Sequence, residues 1–341
     1  MNTRTFLKTL AVGAFCLAGC TKPSPETTSE TAASKANTNA SAKPLKVALL
    51  TPGDINDQGW NQLAGEGLAE IKKGGAETAH QVTKTAADQQ PALRDFAGGD
   101  YDMVICHGFE YGERVKAIAS EFPNTKFTVV AGDVVQKPNV ATIIPKLEDA
   151  TYLLGMVAAG VSKTGKVGLI GGMKLPVIAS TFQAFEQGAR AVNPKVVVLP
   201  ARYIGNFEDQ NAAKEVSNQL IAQGADVLFH NADQAGKGMF NAAQTAKVWC
   251  FGSNRNQNEI APEVCLASAV IEMPRAFTDL ARDAQNGKWK PEFRELNMQN
   301  KTIAVEWNPK LKAKVPAAAM QKVMAAQKQL ESGALKIKRN V

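Results

Sequence analysis

The sequence predicts an α/β protein of two doubly wound, parallel-sheet lobes joined by a hinge, with a ligand cleft between them. Short continuous apolar segments alternate with helical patterns, as in parallel sheets that are buried on both faces. The same segments recur in the same order in both halves of the chain, with Lys46 and Lys166 at equivalent positions. A length of 341 residues and a hydrophobic content of 45% agree with two globular units and exclude a mainly disordered chain.

Three matched segments carry this internal repeat. The strand patterns that begin at Lys46 and Lys166 are each followed by a Gly/Pro loop, an aromatic residue and a helical pattern. The next matched strands end at His107 and His230, and a third pair ends 26 and 24 residues later. Because the spacings agree, each half is predicted to form one lobe.

Ligands of doubly wound folds bind beyond the carboxyl ends of the strands, and a hinge lets two such lobes close on them. The residues near these ends are therefore the candidate ligand-binding residues. They are Asn56, Asp57, Trp60, Asn61, His107, Gly108, Asp133, Phe182, Phe185, His230, Asn231, Asp233, Asn254 and Asn256.

Aromatic residues follow equivalent polar loops in the two halves. Trp60 follows the loop of the first lobe, and Phe182 or Phe185 follows that of the second. Two rings that face the cleft would sandwich a planar ligand, and base–ring stacking is worth roughly 1–3 kcal/mol per face. The alternative is that the rings pack beneath helix N-termini. Likewise, His107 and His230 are either cleft hydrogen-bonding groups or structural residues that satisfy loop backbone.

The first residues of the chain are predicted to be an export signal and a tether. Arg4 and Lys8 precede an apolar run of about ten residues, which suits a signal peptide and is too short to span a bilayer. The run ends at Leu-Ala-Gly-Cys20, which predicts a signal peptide over 1–19, a lipid on Cys20 and a flexible tether over 20–45. The alternative is an ordinary signal peptide with a chance cysteine.

Several function classes are disfavoured. The net charge of +7 is spread along the chain without a basic stripe, so nucleic acid is not an expected partner. Gly160–Lys166 has phosphate-loop spacing, but Val167 replaces the required Ser or Thr and the segment precedes a strand. No metal-ligand spacing or nucleophile–base set is present. We therefore expect no cofactor, no metal and no enzymatic activity.

Three cysteines lie beyond the tether, at Cys106, Cys250 and Cys265. We interpret them as small buried hydrophobic residues. A disulfide between Cys250 and Cys265 stays open, because the spacing of cysteines does not determine their pairing.

From Lys46 to about Ser268 the chain resembles the basic membrane protein family of lipoproteins, which includes purine nucleoside receptors. The motifs that carry the resemblance are Asp57-Gln-Gly-Trp60-Asn61 with Glu66-Gly67, Lys166-Val-Gly-Leu-Ile-Gly-Gly172, Tyr203-Ile-Gly205 and Gln223-Gly-Ala-Asp-Val227. The resemblance implies a type 1 periplasmic binding protein that delivers its ligand to an ABC transporter. By position, it implies that the base-binding residues are Asp57, Trp60, Asn61, Asp133 and Phe185.

The chain departs from the family at positions where the resemblance implies contacts to ribose. Asn254 and Asn256 stand where the family often has Asp, and Ile271 stands where it often has Lys. A free purine base therefore fits at least as well as a nucleoside.

By analogy with this fold, we expect an N-terminal lobe over 46–149 and a C-terminal lobe over 150–266. We expect 267–290 to return to the N-terminal lobe. A strand and a helix over 291–341 have no assigned lobe.

The sequence thus predicts a lipid-anchored, monomeric solute-binding protein of an ABC importer, located in the cell envelope and docking on a permease. Its expected ligand is a purine base or purine nucleoside, held by stacking and by hydrogen bonds to the ring edge. The alternatives are a protein for sugars or other small solutes, a sensor that docks on a signalling receptor, and an envelope enzyme acting on nucleosides.

Overall fold

The computed structural model of the chain describes residues 43–338. The predicted signal peptide over 1–19, the lipid on Cys20 and most of the 20–45 tether lie outside these residues. Within the described range, Leu45 is already buried, one residue before the first strand. No helix in this range is long and apolar enough to cross a membrane.

Strands and helices alternate along most of the described chain. In chain order, the strands are β1 (Lys46–Thr51), β2 (Glu77–Val82), β3 (Met103–His107), β4 (Lys126–Val130), β5 (Val140–Pro145), β6 (Lys166–Gly171), β7 (Val197–Val198), β8 (Arg202–Tyr203), β9 (Val227–Asn231), β10 (Trp249–Asn254), β11 (Cys265–Ile271), β12 (Phe293–Leu296) and β13 (Ile303–Trp307). The α-helices are α1 (Trp60–Lys73), α2 (Ala86–Gly98), α3 (Gly112–Ile118), α4 (Glu148–Val161), α5 (Pro176–Val192), α6 (Gln210–Ala222), α7 (Gly236–Ala246), α8 (Met273–Gln285) and α9 (Ala317–Ser332).

The strands form two sheets, one for each predicted lobe. The first has the order β12-β5-β4-β3-β1-β2, and all its neighbouring strands are parallel. The second has the order β13-β11-β10-β9-β6-β7, with β8 also beside β6, and only β13 runs antiparallel. Every residue of the inner strands β3 and β9 is buried, which explains their continuous apolar sequences.

The C-terminal part of the chain is divided between the two lobes. Strand β12 joins the first sheet beside β5, and β13 joins the second beside β11. Helix α8 packs on α1, where Phe277 lies against Gly67 and leaves no room for a side chain there. Helix α9 packs on α4 of the second lobe. The chain in the described range therefore passes between the lobes three times, after β5, β11 and β12.

One predicted lobe boundary is wrong. The return to the first lobe was expected to begin at residue 267, but 267–271 belong to β11 in the second sheet. The return begins with α8 at Met273. The apolar segment up to Ile271 is the continuation of the buried strand β11. The chain crosses to the first lobe between Ile271 and Met273.

The three described cysteines are free and buried, as small hydrophobic residues are. Cys250 and Cys265 are register neighbours on β10 and β11. Burial and the adjacent Cys265 thiol raise the pKa of Cys250 well above its usual range, so this thiol stays protonated and unreactive.

Candidate functional site

A cavity of about 1100 Å³ lies between the two lobes, at the carboxyl ends of their strands. Eight of the predicted ligand-binding residues line it: Asp57, Trp60, Asn61, Gly108, Asp133, Asn231, Asp233 and Asn254. Six do not line it: Asn56, His107, Phe182, Phe185, His230 and Asn256. Nearness to a strand end therefore predicts where the cleft lies. The direction of each side chain then decides whether the residue reaches the cavity.

Trp60 opens helix α1 and forms part of the first lobe's wall. Its indole stacks on the imidazole of His107, with ring centroids 4.0 Å apart and planes 25° apart. His107 Nε2 donates to the Trp60 carbonyl oxygen at 2.9 Å. His107 is fully buried, and this burial lowers its pKa to about 3, so the ring is neutral. His107 is therefore a structural support behind Trp60 and not a cleft residue.

Asp57 organises the N-terminus of α1. Its Oδ1 accepts the backbone N–H groups of Gly59 and Gln62, at 2.8 and 3.0 Å. Its Oδ2 accepts the backbone N–H and the side-chain Nδ2 of Asn61, at 2.9 and 2.8 Å. A carboxylate is well suited to these donors, because the first turn of a helix leaves its N–H groups unpaired and carries partial positive charge.

Asn61 is oriented by the same network. Its Nδ2 is used by Asp57, while its Oδ1 is buried and has no hydrogen-bond partner among the described residues. Asn61 is 7% exposed and lines the cavity. An unpaired buried acceptor costs about 1–3 kcal/mol, and the side chain that carries this cost lines the cavity.

The aromatic residue that the second lobe presents is Phe207, which sequence reasoning missed. Phe207 lines the cavity from the loop after β8. The predicted residues Phe182 and Phe185 instead belong to the hydrophobic core, and Phe185 stacks on Phe229 with centroids 5.2 Å apart. Both lie within α5 on the face that packs against the sheet, which is why neither reaches the cleft. The available signal for Phe207 was its place in a Gly/Asn loop immediately after a strand.

His230 in the second lobe mirrors the supporting role of His107. Its Nε2 pairs with Gln257 Oε1 at 3.0 Å, and burial lowers its pKa to about 4. The next residue, Asn231, does line the cavity and donates from Nδ2 to Thr181 Oγ1 at 3.3 Å. The structural interpretation of both histidines is therefore the correct one.

Direct contacts between the lobes define this conformation as closed. Asp233 of the second lobe accepts the backbone N–H of Trp60 at 2.5 Å. Gln257 Nε2 donates to the carbonyl oxygen of Gln58 at 3.3 Å. Arg255 of the second lobe forms an ion pair with Glu66 of α1.

Close approach at this contact requires glycine at position 59. A Cβ on Gly59 would lie 1.8 Å from Asp233 Oδ1. Burial and the facing carboxylate of Asp57 raise the pKa of Asp233 well above its ordinary value. The two carboxyl groups therefore meet across the cleft where the lobes close.

The remaining predicted residues divide between the wall and the surface. Asn254 lines the cavity at a positive φ of 67°, and Ile271 lies beside the cavity as an apolar wall. Asn56 is exposed and donates to Asp54 Oδ1, and Asn256 is exposed and caps the N–H of Asn258. These local turn contacts keep Asn56 and Asn256 away from the cavity. Within residues 43–338, no group of three or more His, Cys, Asp or Glu side chains is arranged to hold a metal ion.

Residues 45–340 match the family model Bmp, described as ABC transporter substrate-binding protein PnrA-like. A CD4+ T-cell-stimulating antigen of Listeria monocytogenes is 29% identical over 270 residues, covering 72% of this chain and 75% of that protein. The ABC transporter nucleoside-binding protein BmpA of Lactococcus lactis is 27% identical over 269 residues, covering 72% and 76%.

Solved structures show the same fold. An ABC transporter solute-binding protein from Aeropyrum pernix superposes with a TM-score of 0.80 at 19% identity, covering 87% of this chain and 94% of that one. Another from Conexibacter woesei gives 0.71 at 26% identity, covering 86% and 99%. These findings confirm the predicted family and the predicted type 1 periplasmic binding protein fold. The chain therefore belongs to the Bmp family of PnrA-like ABC transporter substrate-binding proteins, which bind a solute and do not transform it.

Proposed function

We propose that the protein binds a purine base or purine nucleoside and delivers it to an ABC permease. The observation that carries this proposal is that aromatic residues line one cavity from opposite lobes, with Trp60, Phe109 and Phe293 on the first lobe and Phe207 facing them from the second. A planar ring between them gains stacking on two faces, worth roughly 1–3 kcal/mol each. The nucleoside-binding relative from Lactococcus lactis supports the same ligand class.

Polar residues beside Trp60 would recognise the edge of the ring. Asn61 lines the cavity from the first lobe, and Asp233 and Asn231 line it from the second. Asn254 and Ile271 offer no charged group for ribose hydroxyls. At these two positions a free base therefore fits at least as well as a nucleoside.

The cellular setting is part of the same proposal. A lipid on Cys20 and a tether over 20–45 would hold the monomeric binding unit at the outer face of a membrane, beside its permease. Closure on the ligand then shifts the protein toward the conformation that the permease recognises.

Calorimetric titration of the purified, refolded protein with purine bases, their nucleosides, pyrimidines and sugars tests the proposal. We expect a purine to bind, and Trp60→Ala or Phe207→Ala to weaken its binding by about 1–3 kcal/mol. Phe96→Ala, which removes a partly buried ring of the first lobe outside the cavity, should leave ligand affinity unchanged. Binding of a sugar with no response to any purine would overturn the stacking model and favour a sugar-binding protein.

A further inference from the structure

The positive charge of the chain is concentrated at its C-terminal end. Residues 297–341 hold nine of the 39 Lys and Arg but only two of the 32 Asp and Glu, so their net charge of +7 equals that of the whole chain. The rest of the chain has as many acidic as basic residues. The expectation that the charge is spread along the chain is therefore wrong.

The described part of this segment folds as one unit at the edge of the second lobe. Strand β13 is the outermost strand of the second sheet, and α9 packs on α4 of the same lobe. Helix α9 runs back alongside β13, because Gly333, just after the helix, lies against Gln299, shortly before the strand. A helix of 16 residues is about 24 Å long, so the charges of this unit lie on one short edge of the lobe.

Eight lysines of this unit form what we call the basic surface. They are Lys301, Lys310, Lys312, Lys314, Lys322, Lys328, Lys336 and Lys338, and each is exposed. Among residues 43–338, none of the eight forms an ion pair with a carboxylate. The positive charge of the basic surface is therefore available to an anionic partner.

An exposed apolar side chain lies within the basic surface and narrows the kind of partner. Met324 is 54% exposed, the largest exposed fraction of any large apolar side chain in the described range. It lies one helical turn before Lys328, whereas Val323 and Leu330 on the other face of α9 pack in the core. A partner that is only charged has no use for this side chain. A membrane with anionic lipids uses both, since lysines contact the headgroups while an apolar side chain enters the boundary with the acyl chains.

We propose that the basic surface docks on a membrane that contains anionic phospholipids, with Met324 entering the headgroup region. The inference goes beyond the proposed function and rests on it only for the nearby membrane, to which the lipid on Cys20 would attach the chain. An attached protein meets the lipid surface at high effective concentration, so a modest attraction is sufficient. The basic surface and Met324 do not line the cavity, so docking and solute binding are separable.

Co-sedimentation with vesicles tests the proposal. The protein is the chain from Thr21 onward, which lacks the predicted lipid attachment site and keeps every described residue. Vesicles of phosphatidylcholine alone are compared with vesicles that also contain about 30% phosphatidylglycerol. We expect binding to the anionic vesicles to be at least about tenfold stronger and to weaken as salt is added. Equal binding to both kinds of vesicle, or no binding to the anionic ones, would overturn the inference.

Substitutions within the basic surface should weaken this binding. The triple variant Lys312→Gln, Lys314→Gln and Lys322→Gln should bind the anionic vesicles about tenfold or more weakly, because each lysine near an anionic surface contributes about fivefold. Met324→Gln leaves the charge unchanged and should also weaken binding, since it removes the apolar contact. Full binding by the triple variant would contradict the assignment.

A charge-matched control separates the basic surface from the net charge. The triple variant Lys72→Gln, Lys195→Gln and Lys214→Gln removes the same charge from exposed positions elsewhere in the protein, and it should bind the anionic vesicles nearly as well as the unchanged chain. Equal losses in the two triple variants would show that net charge alone attracts the protein, which contradicts a docking surface.

Two further measurements keep the outcomes distinct. Binding to a polyanion such as heparin or RNA, with no binding to anionic vesicles, would overturn the inference in favour of a soluble or polymeric partner. Calorimetric titration with purines should give the same affinity for both triple variants and for the unchanged chain. If no purine binds while the anionic vesicles still do, the proposed function is wrong and the docking surface stands.

Discussion

His107 is the last residue of β3, His230 is the last but one of β9, and both are held as neutral rings behind the cleft. Each is fully buried and uses Nε2 for one hydrogen bond, to the Trp60 carbonyl oxygen and to Gln257 Oε1 respectively. Burial lowers their pKa values to about 3 and about 4, against an ordinary value of 6.5. A structural role thus follows from burial, since charging either ring inside the protein is costly.

The free energy of unfolding should therefore depend on these histidines in mildly acidic solution. Their pKa values are lower in the folded protein than in the unfolded chain, so their stabilising effect is complete above about pH 6.5 and is lost as the pH falls toward 4. For His230 the shift corresponds to about 3 kcal/mol. Urea unfolding between pH 7 and 4 should show a shallower pH dependence for His230→Gln than for the unchanged protein. Equal slopes would contradict this assignment.

In the second lobe, the aromatic residues of helix α5 lie in the core, whereas the aromatic residue of the loop after β8 lines the cleft. Phe182 and Phe185 are three positions apart on α5, which places them on one helix face, and this face packs on Phe229 of β9. Phe207 is held by the short loop between β8 and α6 and lines the cavity. A loop residue is free to face the cleft, whereas the inner face of a helix that covers a sheet is committed to the core.

Substitutions at Phe185 and Phe207 should therefore have opposite effects. Phe185→Ala should lower the free energy of unfolding by about 3–5 kcal/mol because it opens a cavity in the core, with little change in ligand affinity. Phe207→Ala should weaken ligand binding and lower the free energy of unfolding less than Phe185→Ala does, because Phe207 is only partly buried against the core. Chemical unfolding and calorimetric titration measure the two effects. The milder Phe185→Leu replaces the alanine variant if the latter does not fold. Loss of ligand affinity in Phe185→Leu would contradict the assignment of Phe185 to the core.

At the scale of the whole molecule, three of the polar contacts among the described residues join the lobes across the cleft. They are the Trp60 N–H to Asp233 hydrogen bond, the Gln257 to Gln58 hydrogen bond and the Arg255–Glu66 ion pair. The chain passes between the lobes three times in the described range, and we expect these contacts to form and break by rotation about the connecting segments. A ligand that binds only the closed arrangement gains from each contact that stabilises closure.

Loss of the Arg255–Glu66 ion pair should shift the ligand-free protein toward an open arrangement. Because both side chains are partly exposed, we expect Arg255→Ala to weaken ligand binding about two- to fivefold. Small-angle X-ray scattering should show a larger radius of gyration without ligand. Arg190→Ala is the matched control, since its ion pair with Glu186 lies within α5. An unchanged affinity and radius for Arg255→Ala would show that this ion pair does not contribute to closure.

The sequence by itself determined the two lobes, the position of the cleft and the place of Trp60, Asp57 and Asn61 in it. These features follow from local patterns: continuous apolar strands, the polar residues that end them, and an internal repeat of both. The family motifs added the assignment of this fold to the type 1 periplasmic binding proteins and the class of function.

Only the tertiary structure decided which side chains reach the ligand and where the last strands belong. Phe207 rather than Phe185 lines the cleft, and β12 and β13 join different sheets although only six residues separate them. Strand β12 pairs with β5, about 150 positions earlier in the chain. Local periodicity reports whether a side chain is buried but not against what, because that depends on partners distant in sequence.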